Sequence, residues 1–162
     1  MPPDAEVIAY MPRLEIMQRA IGDAVVLAKL GVDPAGGLVV WAPTYRKTIR
    51  GGELRVSGVP VTDAKNSLLL KQVQEIADKE NAPIVLKVHP HDADNYAELG
   101  FATHTNESLR TLGITPYELF GAASLLITDY SSVYLEREFL GLPYILVQPD
   151  HAEFSTSPRG LR

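Results

Sequence analysis

Three short groups of polar residues carry the chemistry available to this chain. Thr44 and Arg46 follow the apolar run Leu38 to Pro43; His89, His91 and Asp92 follow Ile84 to Val88; Asp129, Ser131 and Ser132 follow Leu125 to Thr128. Hydroxyls and a guanidinium bind phosphate, and imidazoles, which titrate near neutrality, can hold a diphosphate or protonate a departing phosphate. Ser131 and Ser132 stand where a helix begins, and a helix start offers unpartnered N–H groups to an anion. Glu136 follows about one turn further on.

Each group also has a plainer explanation. The serines serve equally as an N-cap, the charges near Arg46 as a solvated loop, the histidines as a surface turn and Glu136 as a solvated helix carboxylate. Asp129 can orient its own turn through side-chain to backbone bonds. The pair His89 and His91, with only Asp92 beside it, falls short of the four ligands of a zinc site.

The surrounding elements decide whether these groups meet. Leu38–Ala42, Pro83–Val88, Leu125–Thr128 and Pro143–Val147 are apolar runs of strand length, the form of buried parallel strands, and Phe101–Thr105 is a shorter fifth candidate. Pro43 cannot donate to a ladder and ends the first. Helical spacing of Leu14, Met17, Ile21, Val25 and Ala28 predicts one packing helix from Arg13 to Leu30, stopped by Gly31. A second amphipathic helix is predicted over Ser67–Glu80. Thr115-Pro116-Tyr117-Glu118 is a capping box that starts another. Strands alternating with helices imply an α/β fold, a Rossmann-like doubly wound parallel sheet of about five strands. Ligands of such sheets lie at the carboxyl ends of strands, near the reversal of strand order. All three polar groups follow strand carboxyl ends.

With 162 residues and 46% hydrophobic content, the chain is expected to form a single domain. It divides into a lead-in and packing helix (1–37), an α/β core (38–150) and an irregular tail (151–162). A net charge of −5 argues against a broad basic surface for nucleic acid. The lack of cysteine excludes disulfides and thiolate chemistry. No apolar run reaches the ~20 residues of a membrane span.

The ordered segments Trp41-Ala42-Pro43-Thr44-Tyr45-Arg46, Leu86-Lys87-Val88-His89-Pro90-His91-Asp92, Leu126-Ile127-Thr128-Asp129-Tyr130-Ser131-Ser132-Val133 and Leu140-Gly141-Leu142-Pro143 resemble the carboxyl-terminal half of the CDP-glycerol glycerophosphotransferases, builders of teichoic-acid-type polymers. The family is similar to two-domain glycosyltransferases of the GT-B type, whose second domain binds the nucleotide donor. The resemblance implies transfer of glycerol phosphate from CDP-glycerol to a hydroxyl of a polyol-phosphate or lipid-linked glycan acceptor, with release of CMP. It assigns His89 to the diphosphate and the leaving CMP. Thr44, Arg46, His91, Asp129, Ser131, Ser132 and Glu136 are assigned to donor binding. No covalently bound cofactor is implied, and a divalent metal is left open. The acceptor domain, with its general base, is expected outside this chain, so isolated turnover should be negligible. The parent enzyme is expected in the cytoplasm, peripheral at the inner face of the membrane. Ser124 departs from the acidic residue usual in the family, which puts one helix-to-strand contact in doubt. Other readings are a UDP-sugar transferase or 2-epimerase-like domain of the same fold, or a non-catalytic nucleotide-binding module.

Overall fold

In the computed structural model, residues 11–44, 55–56, 59–60, 64–98 and 100–148 are described. The expected lead-in to Tyr10, Arg46 with its loop, and the tail 151–162 lie outside them.

Five parallel strands form the sheet: β1 (Val39–Ala42), β4 (Ile84–Lys87), β5 (Ala102–His104), β6 (Leu125–Thr128) and β7 (Tyr144–Leu146). A separate two-stranded pair, β2 (Arg55–Val56) and β3 (Val59–Pro60), follows β1 and was not expected from the sequence. The sheet order is β5-β4-β1-β6-β7. The chain thus steps outward from β1 in one direction, returns, and steps outward in the other. Strand order reverses between β1 and β6, and the crevice of a doubly wound sheet opens there.

Both faces of the sheet are covered, which is why its central strands are apolar throughout. On one face Val40, Ala42, Val85 and Leu126 pack under α1 (Pro12–Arg19), α2 (Ala24–Lys29), α5 (Asn106–Thr111), α6 (Pro116–Ala122) and α7 (Val133–Phe139). On the other, Val39, Trp41, Leu86 and Ile127 pack under α3 (Ala64–Glu80) and α4 (Ala93–Glu98). Trp41 meets Tyr96 and Phe101 edge to face at 5.7 and 6.0 Å between ring centroids. The expected α/β class and five-stranded parallel sheet are observed, as is the Thr115–Glu118 capping box that starts α6.

The single helix expected from Arg13 to Leu30 is instead two. Gly22 takes φ +66°, and the Asp23 carboxylate caps α2 by accepting from the N–H groups of Val25 and Val26. The break shifts the helical phase: Val26 and Leu27 are buried, while Ile21 and Val25 face solvent. The first helix lies so close to α6 that a Cβ on Gly121 would come within 2.2 Å of the Met17 carbonyl oxygen. Only glycine fits there.

Candidate functional site at the carboxyl edge of the sheet

At the reversal of strand order, the residues after β1 and after β6 are tied together. The Asp129 carboxylate accepts from the Thr44 backbone N–H at 2.9 and 3.1 Å and from the Thr44 hydroxyl. It also accepts from its neighbour's N–H, Tyr130, at 2.7 Å. Below it, the Thr128 hydroxyl donates to the Ala42 carbonyl at 2.7 Å. Asp129 is 1% exposed. A buried carboxylate needs such donors, because burial without them would be prohibitive. Asp129 therefore builds the crevice: it orients its own turn, as local bonding allowed, and also reaches 85 residues back to Thr44.

His89 and His91 follow β4 and are exposed. Their rings stack, 5.1 Å between centroids. The His91 N–H donates to His89 Nδ1 at 3.3 Å as the chain enters the turn Pro90–Asp92. A nitrogen that accepts is unprotonated, so the neutral imidazole of His89 carries its hydrogen on Nε2. Among the described residues no group of three His, Cys, Asp or Glu side chains is arranged to hold a metal ion.

After β6 the chain turns through Ser131, half-buried, and Ser132, exposed, into α7. Ser132 is the N-cap residue but makes no side-chain capping bond, and Ser131 Oγ accepts only a long bond, 3.5 Å, from the Val133 N–H. Capping thus does not account for the two hydroxyls. With seven residues, α7 has a modest dipole, so the hydroxyls and local N–H groups matter more than its length.

Glu136 is 4% exposed, which rules out a solvated carboxylate. Its Oε1 pairs with Arg13 Nε of α1 at 2.8 Å, while its buried Oε2 has no hydrogen-bond partner. Arg137, the next residue, is wholly buried and donates to the carbonyls of Phe120, Ala123, Ser124 and Pro143. It fastens the end of α6 to the start of β7, and desolvation lowers its pKa to about 10. The departure at Ser124 is also resolved: its hydroxyl donates to the Leu38 carbonyl at 3.0 Å and accepts the Leu38 N–H at 3.1 Å. That serine joins the start of β6 to the start of β1.

Two basic groups at this edge escaped the sequence reading, Lys87 and His104. They are register partners at the ends of β4 and β5. Burial lowers the pKa of both. A lysine closing an otherwise apolar strand run was the signal available for the first. His104 lies in a strand too short to announce which row it joins. Arg13 entered the sequence reading only as the start of the predicted helix, and Arg137 was not singled out.

The profile of the CDP-Glycerol:Poly(glycerophosphate) glycerophosphotransferase family matches residues 6–162. No curated protein matches the sequence significantly. Among solved structures, the wall teichoic acid polymerase TagF is similar, with TM-score 0.61 and 21% identity over 96% of this chain and 36% of that one. A histidine variant of TagF gives TM-score 0.62 and 24% identity over 97% and 36%. Another variant, soaked with CDPG, gives 0.58 and 22% over 97% and 34%. At these identities the likeness shows a shared fold. The chain spans about a third of the length of these structures.

Proposed function

From the premise that the chain belongs to the CDP-glycerol:poly(glycerophosphate) glycerophosphotransferase family, we propose that it supplies the donor-binding half of an enzyme transferring glycerol phosphate from CDP-glycerol to an acceptor hydroxyl. The acceptor is of the teichoic-acid class, a polyol phosphate or lipid-linked glycan. Its oxygen attacks the glycerol-bearing phosphorus; the bond from that phosphorus to the bridging oxygen breaks, and CMP leaves with the electron pair. Such transfers need positioning and charge stabilisation more than covalent chemistry.

The observation that carries this reading is the Thr44–Asp129 clasp at the reversal of strand order, with exposed Ser132 beside it and His89 after the adjacent strand β4 on the same edge. The clasp fixes the mouth of the crevice. Ser131, Ser132 and the N–H groups at the start of α7 bind the diphosphate, with Arg46 and His91 as further contacts. His89 offers Nε2–H to the departing phosphate. Glu136 Oε2, which lacks a donor, suits a ribose hydroxyl. Thr44 and Asp129 act through the crevice wall, since their side chains are bonded to each other. No helix among the described residues is long and apolar enough to cross a membrane. The parent enzyme works at the inner face of the membrane, held peripherally, where a lipid-linked acceptor would be reached.

Calorimetric titration of the chain with CDP-glycerol, and with UDP-sugars as the competing class, tests this. Binding of CDP-glycerol with no heat from UDP-sugars is the expected result; the reverse preference would move the chain to the sugar-transferase reading. In a full-length enzyme, His89→Ala should lower CMP release about 10²- to 10⁴-fold, the usual span of general acid catalysis. Unchanged polymer synthesis would favour a non-catalytic nucleotide-binding module.

A further inference from the structure

The last row of the sheet, on the face covered by α7, runs across all five strands. Register pairs His104 with Lys87 and Thr128 with both Ala42 and Leu146, and because Trp41 pairs with Leu86, the following row sets Ala42 beside Lys87. Paired residues of a parallel sheet point to the same face. The row therefore reads His104, Lys87, Ala42, Thr128, Leu146: two basic groups, then a methyl side chain beside the crevice. Lys87 is only partly exposed, and among the described residues the hydrogen bond of its ammonium is a long one, 3.4 Å to the Val88 carbonyl. Among the described residues no carboxylate pairs with it. Taking a cation partly out of water without an anion is unfavourable, and an arriving anion relieves that cost. His89 follows two residues later, so the same strand end carries both groups.

We propose that Lys87 is a diphosphate anchor of this site: its ammonium takes a phosphate group of the donor, with His104 alongside. The identity of the donor rests on the reading above, but the anchor is defined by phosphate chemistry and can be tested without the nucleoside. It adds a second full positive charge, besides that of Arg46, to a site whose other phosphate-binding groups are hydroxyls, backbone N–H and imidazole. A lysine suits this task as a mobile point charge with three donors.

The test uses the whole chain, wild type and Lys87→Met, which keeps the aliphatic stem, with Lys87→Arg as the charge-preserving variant. Inorganic pyrophosphate and CDP-glycerol are titrated separately by calorimetry. Lys87→Met should weaken both by roughly 10- to 100-fold, the worth of a charge-assisted hydrogen bond, and Lys87→Arg should restore most of it. Equal CDP-glycerol affinity in wild type and Lys87→Met would overturn the anchor and leave the donor reading standing. Pyrophosphate binding through Lys87 with no response to CDP-glycerol would do the opposite. Binding of neither probe by wild type would end both. Should Lys87→Met fail to fold, reductive methylation of the wild type with ¹³C-formaldehyde gives the lysine its own resonance. Pyrophosphate must shift that resonance, and an unmoved signal overturns the anchor.

Discussion

Along one edge of the sheet, the β1–β6 side and the β4–β5 side treat their polar groups in opposite ways. Between β1 and β6, Asp129 is spent on Thr44 and Tyr130, Thr128 on Ala42, and behind them Arg137 is spent on four carbonyls. Between β4 and β5, Lys87 has one long bond to its neighbour's carbonyl, and the histidines after β4 face solvent. Bonded, buried polar groups hold a backbone in place; a lysine with one long bond and imidazoles that face solvent at a strand end can meet something from outside. The Thr44–Asp129 clasp and Arg137 are thus bonded as scaffold, whereas the ends of β4 and β5, like the two serines after β6, are the groups that the proposal above gives to the donor.

Substitutions in these two sets should therefore separate stability from binding. The largest loss belongs to Arg137→Leu, which strands several buried carbonyls at once; urea denaturation should register about 3–5 kcal/mol. An unchanged midpoint would mean those carbonyls find water, and the scaffold assignment fails. Asp129→Ala should come next, at about 2–3 kcal/mol for the orphaned Thr44 and Tyr130 groups, with donor binding falling alongside. Loss of binding without loss of stability would move Asp129 to the donor contacts. His89→Ala should leave stability within about 0.5 kcal/mol, as exposed positions do, while weakening CDP-glycerol binding in the same calorimeter. The smallest effect is a pH dependence. Burial holds the His104 pKa below its ordinary 6.5, so between those values the unfolded chain binds more protons than the folded one. Stability should be indifferent to this group above pH 6.5 and decline as pH falls below it. His104→Gln should flatten that decline in thermal melts between pH 7 and 5.5.

The apolar strand runs and the Thr115 capping box were plain in the sequence because each is a local signal, complete within a few residues. That Thr44, His89, Asp129 and Ser131 follow strand carboxyl ends was legible for the same reason. Their duties were not legible. Asp129 finds its main partner 85 residues away, and no local pattern tells a carboxylate that braces a loop from one that meets a ligand. Glu136 and Arg137 are adjacent charges on a helix, which normally signals a wet face, yet both are buried. The break at Gly22 escaped because apolar spacing continues on either side of it, and glycine inside a helical pattern is tolerated often enough to be passed over. The helix α5 was missed since its capping box uses Ser108 in place of an acidic residue and only Leu109 is buried.

The bare backbone at position 121 reaches further than the seam it fills. Because the Met17 carbonyl rests where a methyl would stand, even alanine must lift the first helix from its seat, and Arg13 travels with it. The carboxylate of Glu136 would then lose the Arg13 guanidinium that pairs with it. Whether that buried acid stands neutralised or naked is thus governed by a hydrogen atom on a different helix.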